Sequence, residues 1–322
     1  MSRRFIAAIT AIALAMPAFA QDYPSRAITI VVPYAAGGPT DTVARLVGAA
    51  MSRTLGRPVI IESVTGAGGT LGVGHVAHAR PDGYTVLLMH IGISTSVSLY
   101  HNLRYDPVTD LDPIGLVSDV PMVMIARPDF APKDVKELNG YVKANKDRVT
   151  FANAGIGSAS QLCGMLYLDA IGADVTTVTY NGTGPAMTDL IGGQVDFMCD
   201  QTTNATQQIK SGKVRAFAVT TSKRLPSLPD VPTFAESGLA EVEVASWNGL
   251  WAPHGTPKIA IDKLVAALQA ALRDPGVIHR FAELSAQPVA QDRATPTALR
   301  EKLSSEIAKW SPIVRKIGIL AD

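Results

Sequence analysis

The stretch of this chain best placed to do chemistry is a turn. Ile28 to Val32 is an apolar run that reads as a buried strand, and it feeds Pro33-Tyr34-Ala35-Ala36-Gly37-Gly38-Pro39-Thr40-Asp41 before a helical pattern begins. Proline suits the first turn of a helix, where its missing N–H is not needed, and an acid there faces the positive end of the helix dipole. A glycine-rich turn entering a helix presents free backbone N–H groups, a geometry that holds an anion without a charged side chain. The same pattern also serves as an ordinary β–α turn.

Other candidates sit at the ends of apolar runs. His90 closes the run Tyr84 to Met89 and either donates a hydrogen bond to a carboxylate or is a satisfied half-buried histidine. Asp200 closes Val195 to Cys199 and either takes an ammonium or hydroxyl group or caps the helix that follows. Gly155 to Ser158 and Asn181-Gly182-Thr183-Gly184-Pro185 repeat the glycine turn after two further apolar runs. Tyr34 and Trp247 are candidates to wall an apolar part of a ligand, with core packing the alternative for Trp247.

Enzyme templates fit poorly. Gly157-Ser158-Ala159-Ser160 is not a nucleophile elbow, and there is no phosphate-binding G-x-x-x-x-G-K-[ST] and no H-E-x-x-H. Gly72-x-Gly74-x-x-Ala77 lies some ten residues beyond its strand, and no acid follows at the required distance for a dinucleotide. His75 and His78 share a helix face but lack a third metal ligand. No cofactor or metal is expected, and an exported hydrolase using Ser158 or Ser94 with His90 is the rival reading.

The elements that must position these residues alternate. Strand, turn and helix recur from Ala27 to Met89, and again from Lys133 to Thr220, which argues for parallel α/β sheets. Ile114 to Val117 and Met122 to Ala126 read as two strands about a polar break, and Val242 to Trp251 as a return strand. The expected fold class is α/β and bilobed, with residues 21–120 plus 245–322 as the first lobe and 121–244 as the second. In open α/β sheets ligands bind beyond the carboxyl ends of the strands, so turns from both lobes would face one cleft.

The 322 residues are 47% hydrophobic, with a mean hydropathy of +0.18, enough for one large or two medium domains. Residues 1–20 read as a secretory signal peptide: Arg3-Arg4, an apolar Phe5 to Met16, then Ala18-Phe19-Ala20. Its removal leaves 27 basic against 28 acidic residues, with no dense basic tract, so nucleic acid and anionic membrane are poor partners. No later run is long and apolar enough for a membrane span. Cys163 and Cys199 are the only cysteines, and an oxidising export compartment favours a disulfide between them, two buried thiols being the alternative.

Taken together these residues resemble the periplasmic solute-binding proteins of tripartite tricarboxylate transporters, the Bug receptors. The matching motifs are Tyr23-Pro24-Ser25-Arg26, Ile30 to Asp41, Gly66-Ala67-Gly68-Gly69, Pro81-Asp82-Gly83-Tyr84-Thr85 and Tyr105-Asp106-Pro107. Pro113 to Val117, Tyr180 to Ala186 and Gly192-Gly193-Gln194-Val195-Asp196 complete them, in order along the whole mature chain. The resemblance implies a two-domain fold that closes on an organic anion in the periplasm and delivers it to membrane transporter subunits, or presents it to a sensor kinase, as a monomer. It also implies that backbone groups and bridging waters hold a ligand carboxylate. Carried over, these lie between Tyr34, Ala35, Ala36, Gly37, Gly38 and Thr40 on one side and Gly155 to Ser158 on the other, with Thr183, Gly184 and Asp200 nearby. His90 favours a second carboxylate, aliphatic or aromatic, and Asp200 an acidic amino acid.

Overall fold

The computed structural model describes residues 23–317. The signal-peptide reading of residues 1–20 lies outside them.

The first apolar run forms β1 (Ile28–Val32), and the turn after it opens α1 (Pro39–Leu55). Val43, Ala44, Val47 and Met51 bury one face of α1, and Gly56 ends it in the left-handed region (φ 65°) with its N–H on Ser52 O. Then come β2 (Val59–Ser63), α2 (Thr70–Ala77) and β3 (Thr85–His90), with β1 paired in parallel to both β2 and β3. The next element, α3 (Gly92–Leu99), has no apolar period for a sequence reading to find. It is buried apart from Val97 and Ser98, and the buried Ser94 and Ser96 hydroxyls donate back to the Ile91 and Ile93 carbonyls, while Thr95 Oγ1 has its one proton between Gly92 O and Gly157 O.

The strand β4 (Leu111–Ala126) differs from the expected pair of short strands. It is continuous because the polar residues of the supposed break are satisfied where they stand. Ser118 accepts a hydrogen bond from Asn248 Nδ2 at 3.1 Å, and Asp119 is paired with Arg293. The second sheet is built from α4 (Val135–Ala144), β5 (Thr150–Asn153), α5 (Ala159–Ile171), β6 (Thr176–Thr179), α6 (Thr183–Ile191), β7 (Phe197–Gln201), α7 (Thr202–Lys210) and β8 (Arg215–Val219). The chain returns through β9 (Ala245–Pro253) to α8 (Lys258–Arg273), α9 (Pro275–Glu283), β10 (Gln287–Pro288) and α10 (Pro296–Ile317).

The strand order is β2-β1-β3-β9-β4-β7-β5-β6, with β8 and β10 also on β4. Residues 111–121 of β4 pair antiparallel with β9, and Met122 to Ala126 pair with β7 and β8. One strand therefore serves two sheets, and the molecule is a bilobed α/β fold joined where β4 leaves one sheet for the other. Trp247 and Trp251 on β9 are buried against each other with ring centroids 6.0 Å apart, so Trp247 belongs to the core and not to a ligand wall.

Cys163 on α5 is bonded to Cys199 on β7, across a Cα–Cα distance of 6.0 Å and 36 residues of chain. Closing a loop of that length contributes roughly 3–4 kcal/mol by restricting the unfolded chain. The double variant Cys163→Ala/Cys199→Ala should melt on the order of 5–10 °C below the oxidised protein in calorimetry. Superimposable melting curves would show that the bond stabilises nothing.

Candidate functional site

Four helices begin at one place between the two sheets. Pro39 and Thr40 open α1, Ser158 caps α5 and Ala159 and Ser160 open it, Thr183 opens α6, and Gln201 precedes α7. With Tyr34 beyond β1, His90 ending β3 and Ala154 beyond β5, these residues line a common cavity. It is small, with about 10 Å³ open to the centre of a water molecule. No lysine or arginine is among its lining residues.

The starts of these helices are short of partners. Only Ser158 acts as a side-chain cap, accepting from Gln161 N at 3.2 Å; the residues before α1, α6 and α7 (Gly38, Gly182 and Gln201) offer none. First-turn N–H groups without a cap carry the positive end of the helix dipole, and here several of them converge. Asp41, buried in the first turn of α1, is not a lining residue: its Oδ2 accepts from Gly37 N at 3.1 Å and Arg45 Nε at 2.8 Å, which braces the turn, and its Oδ1 has no partner. Thr183 Oγ1 lies between the cavity and the Asp200 carboxyl, and Gln201 Oε1 is buried without a hydrogen-bond partner. Such atoms are costly inside a protein unless something pairs with them.

His90 supplies a directed donor. Gly92 N donates to its Nδ1 at 2.9 Å, which assigns the ring proton to Nε2, and the Tyr34 ring stacks on it at 4.7 Å. Burial holds the imidazole pKa down to about 4, so it is neutral at pH 7. A neutral Nε2–H suits a carboxylate or hydroxyl oxygen and brings no charge.

The expected site residues fall into four groups. Tyr34, Thr40, His90, Ser158 and Thr183 line the cavity. Ala35, Ala36, Gly37, Gly38 and Gly184 form the seam beside it: Ala35 N donates to Asn181 O at 2.8 Å, and a Cβ on Gly184 would lie 3.1 Å from Ala36 O. Gly157 meets the first lobe through its carbonyl, which accepts from Thr95 Oγ1 at 3.0 Å. Asp200 is not a lining residue but sits directly behind two that are, Thr183 and Gln201. Its Oδ1 accepts from Gln201 N at 2.8 Å and its Oδ2 from Asn204 Nδ2 at 2.5 Å, at the start of α7. Burial pushes its carboxyl up to about 6 against those hydrogen bonds.

Sequence reasoning held Pro39, Ala154 and Gln201 within candidate turns without singling them out, and missed Ala159 and Ser160 as lining residues. Gln201 was one residue from a candidate, and its place at the strand end was the available signal. Alanines carry no chemical signal at all.

The two buried titrations oppose each other. His90, with its pKa depressed, contributes stability above its ordinary pKa that is lost as pH falls through about 4. Asp200, with its pKa raised, contributes stability at low pH that is lost as pH rises through about 6. Each is on the order of 3 kcal/mol, and the two nearly cancel between pH 6.5 and 4. Relative to the wild type over that fall in pH, Asp200→Asn should lose melting temperature and His90→Gln should gain it. Parallel melting curves against pH for the three proteins would contradict this assignment.

Residues 43–319 match the family model described as "Tripartite tricarboxylate transporter family receptor". Among solved structures, the chain is similar to the periplasmic binding protein BugD, at 53% identity and a TM-score of 0.91, over 93% of this chain and 100% of that one. It is also similar to MatC from Rhodopseudomonas palustris with bound malate, at 43% identity and a TM-score of 0.88, over 91% and 100% of the two chains. A further R. palustris protein, solved with adipate, is 31% identical with a TM-score of 0.88 over 93% and 99%. Among the described residues no helix is long and apolar enough to cross a membrane. The match covers most of the chain and the whole bilobed fold, and the family is one of solute-binding receptors, not of enzymes: this chain belongs to the tripartite tricarboxylate transporter receptors, the Bug proteins.

Proposed function

We propose that this protein captures an organic dicarboxylate in the periplasm, after removal of residues 1–20, and hands it as a monomer to a tripartite-type membrane transporter. One observation carries the reading: the convergence of four helix starts, three of them uncapped, on a cavity with no basic side chain. Backbone N–H groups hold one carboxylate there, as at other helix N-termini. The His90 Nε2–H, the Thr183 hydroxyl and the Gln201 amide take the ligand's other polar end. The relatives solved with malate and with adipate support this chemistry.

Entry needs movement, because the cavity is too small for a dicarboxylate to reach through the seam. Residues 21–120 with 245–322 form one moving body and 121–244 the other, hinged near Pro121 and Ala245, which face each other in register. A membrane sensor kinase in place of the transporter would read the same closed state.

A thermal-shift screen of residues 21–322 against malate, succinate, adipate, citrate, phthalate, terephthalate, aspartate, glutamate and monocarboxylates tests the reading. A binder at a hundred times its Kd should add about 2.7 kcal/mol of stability. A shift with aspartate or glutamate alone would replace the dicarboxylate by an acidic amino acid. Silence across the panel, before and after refolding, would overturn carboxylate binding.

Gly38→Val should weaken binding more than tenfold. Its Cβ would lie 3.5 Å from Gly184 N, so the branched methyls intrude on the seam when the lobes shut. The ligand-free melting temperature should stay within a few degrees of the wild type. Unchanged affinity in titration calorimetry would place the carboxylate away from this turn.

A further inference from the structure

The loop Gly66-Ala67-Gly68-Gly69 lies outside the cavity lining, yet it makes a close backbone contact between the lobes. A Cβ on Gly68 would sit 1.9 Å from Ile156 O and 2.7 Å from Tyr100 Oη, and one on Gly155 would sit 2.8 Å from Gly68 Cα. Gly68 (φ 61°), Gly155 (φ 109°) and Gly157 (φ 84°) all hold the left-handed region, so backbone meets backbone with no side chain between. Hydroxyls close the contact from the first lobe. Tyr100 Oη donates to Ile156 O at 3.0 Å and Thr95 Oγ1 to Gly157 O at 3.0 Å.

This contact is wired to the cavity. Tyr34 Oη donates to Gly68 O at 2.7 Å while its ring stacks on His90. On the other side, a Cβ on Gly92 would lie 2.9 Å from Gly157 O, and the Gly92 N–H is the one that fixes the His90 tautomer. The loop, Tyr34 and His90 therefore form one packed set on the first lobe, and the Gly155–Gly157 turn of the second lobe seats against it.

We propose that Gly66–Gly69, with Thr95 and Tyr100, is a latch that sets how long the receptor stays shut on its ligand. The inference rests on the solute-binding reading above. With carbonyls and hydroxyls as its only grips, the latch gains nothing over water until the backbones touch. It thus discriminates a fully shut receptor from a partly shut one. Tyr100 and Gly68 are positioning residues: neither lines the cavity, and both act through the closed geometry.

The test uses malate as probe, or adipate if malate gives no shift, on residues 21–322. Titration calorimetry and stopped-flow dissociation are compared for the wild type, Gly68→Ala and Tyr100→Phe. Gly68→Ala should weaken binding at least tenfold, and Tyr100→Phe, which keeps the ring and removes one hydroxyl, about three- to tenfold. Both losses should appear in the off-rate, with the on-rate and, for Tyr100→Phe, the ligand-free melting temperature unchanged. Wild-type off-rates in Tyr100→Phe and Gly68→Ala would overturn the latch, as would a Tyr100→Phe loss confined to ligand-free stability. Failure of the wild type itself to bind any member of the panel would instead overturn the carboxylate reading and this inference with it.

Discussion

The structure depends on backbone N–H groups that the helices cannot satisfy by themselves. Every helix leaves its first few donors without an intrahelical partner, and most proteins cover them with a side chain or water. Here glycine stands where a capping serine or aspartate would, at Gly38 and Gly182, and the donors stay free. Collecting several such starts around one point creates a positive field without a single cation. The cost is carried elsewhere: the glycines forgo side-chain packing, and the seam between the lobes is built from bare backbone.

That choice explains the architecture around it. A site made of strand-end turns needs the strands of both sheets to end at the same level, facing each other. The shared strand β4 secures this, since β9 and β7 both take their register from it. Its polar residues, the buried Ser118 and the half-exposed Asp119, are tied to Asn248 and Arg293, so the crossing segment keeps its ladder through a stretch that looks unsuited to a strand. His90 lies opposite Asn248 in the same register, which sets the donor of the site directly on the framework that joins the lobes.

Much of this was legible in the residues. The apolar runs separated by glycine turns, and the repetition of that plan after Lys133, carry the two-lobed α/β fold. The turn from Tyr34 to Thr40, His90, Ser158 and Thr183 could be singled out because a polar or glycine residue at a strand end has few structural reasons to be there. What stayed hidden had no local signature. α3 is buried apart from Val97 and Ser98 and shows no amphipathic stripe, and Ala154 and Ala159 line the cavity with nothing but their size. Asp200 shows an ambiguity of a different kind. Its type and position suggest a ligand contact or a helix cap, and its oxygens accept from Gln201 N and Asn204 at the start of α7, with the cavity-lining Thr183 beside them. Whether an acid at a strand end faces a ligand or its own following helix depends on the rotation of one side chain, which no spacing records.

The disulfide has a meaning beyond the stability of its loop. Cys163 lies in α5, the helix that starts at the Ser158 turn, and Cys199 in β7, the strand that ends at Gln201. A covalent bond thus fixes the separation of two of the four helix starts, both within the second lobe. The half of the site on the second lobe is a rigid template only while that bond is formed. Reduced, the same sequence would hold those two starts by packing alone, so the shape of the site is coupled to the redox state of its surroundings.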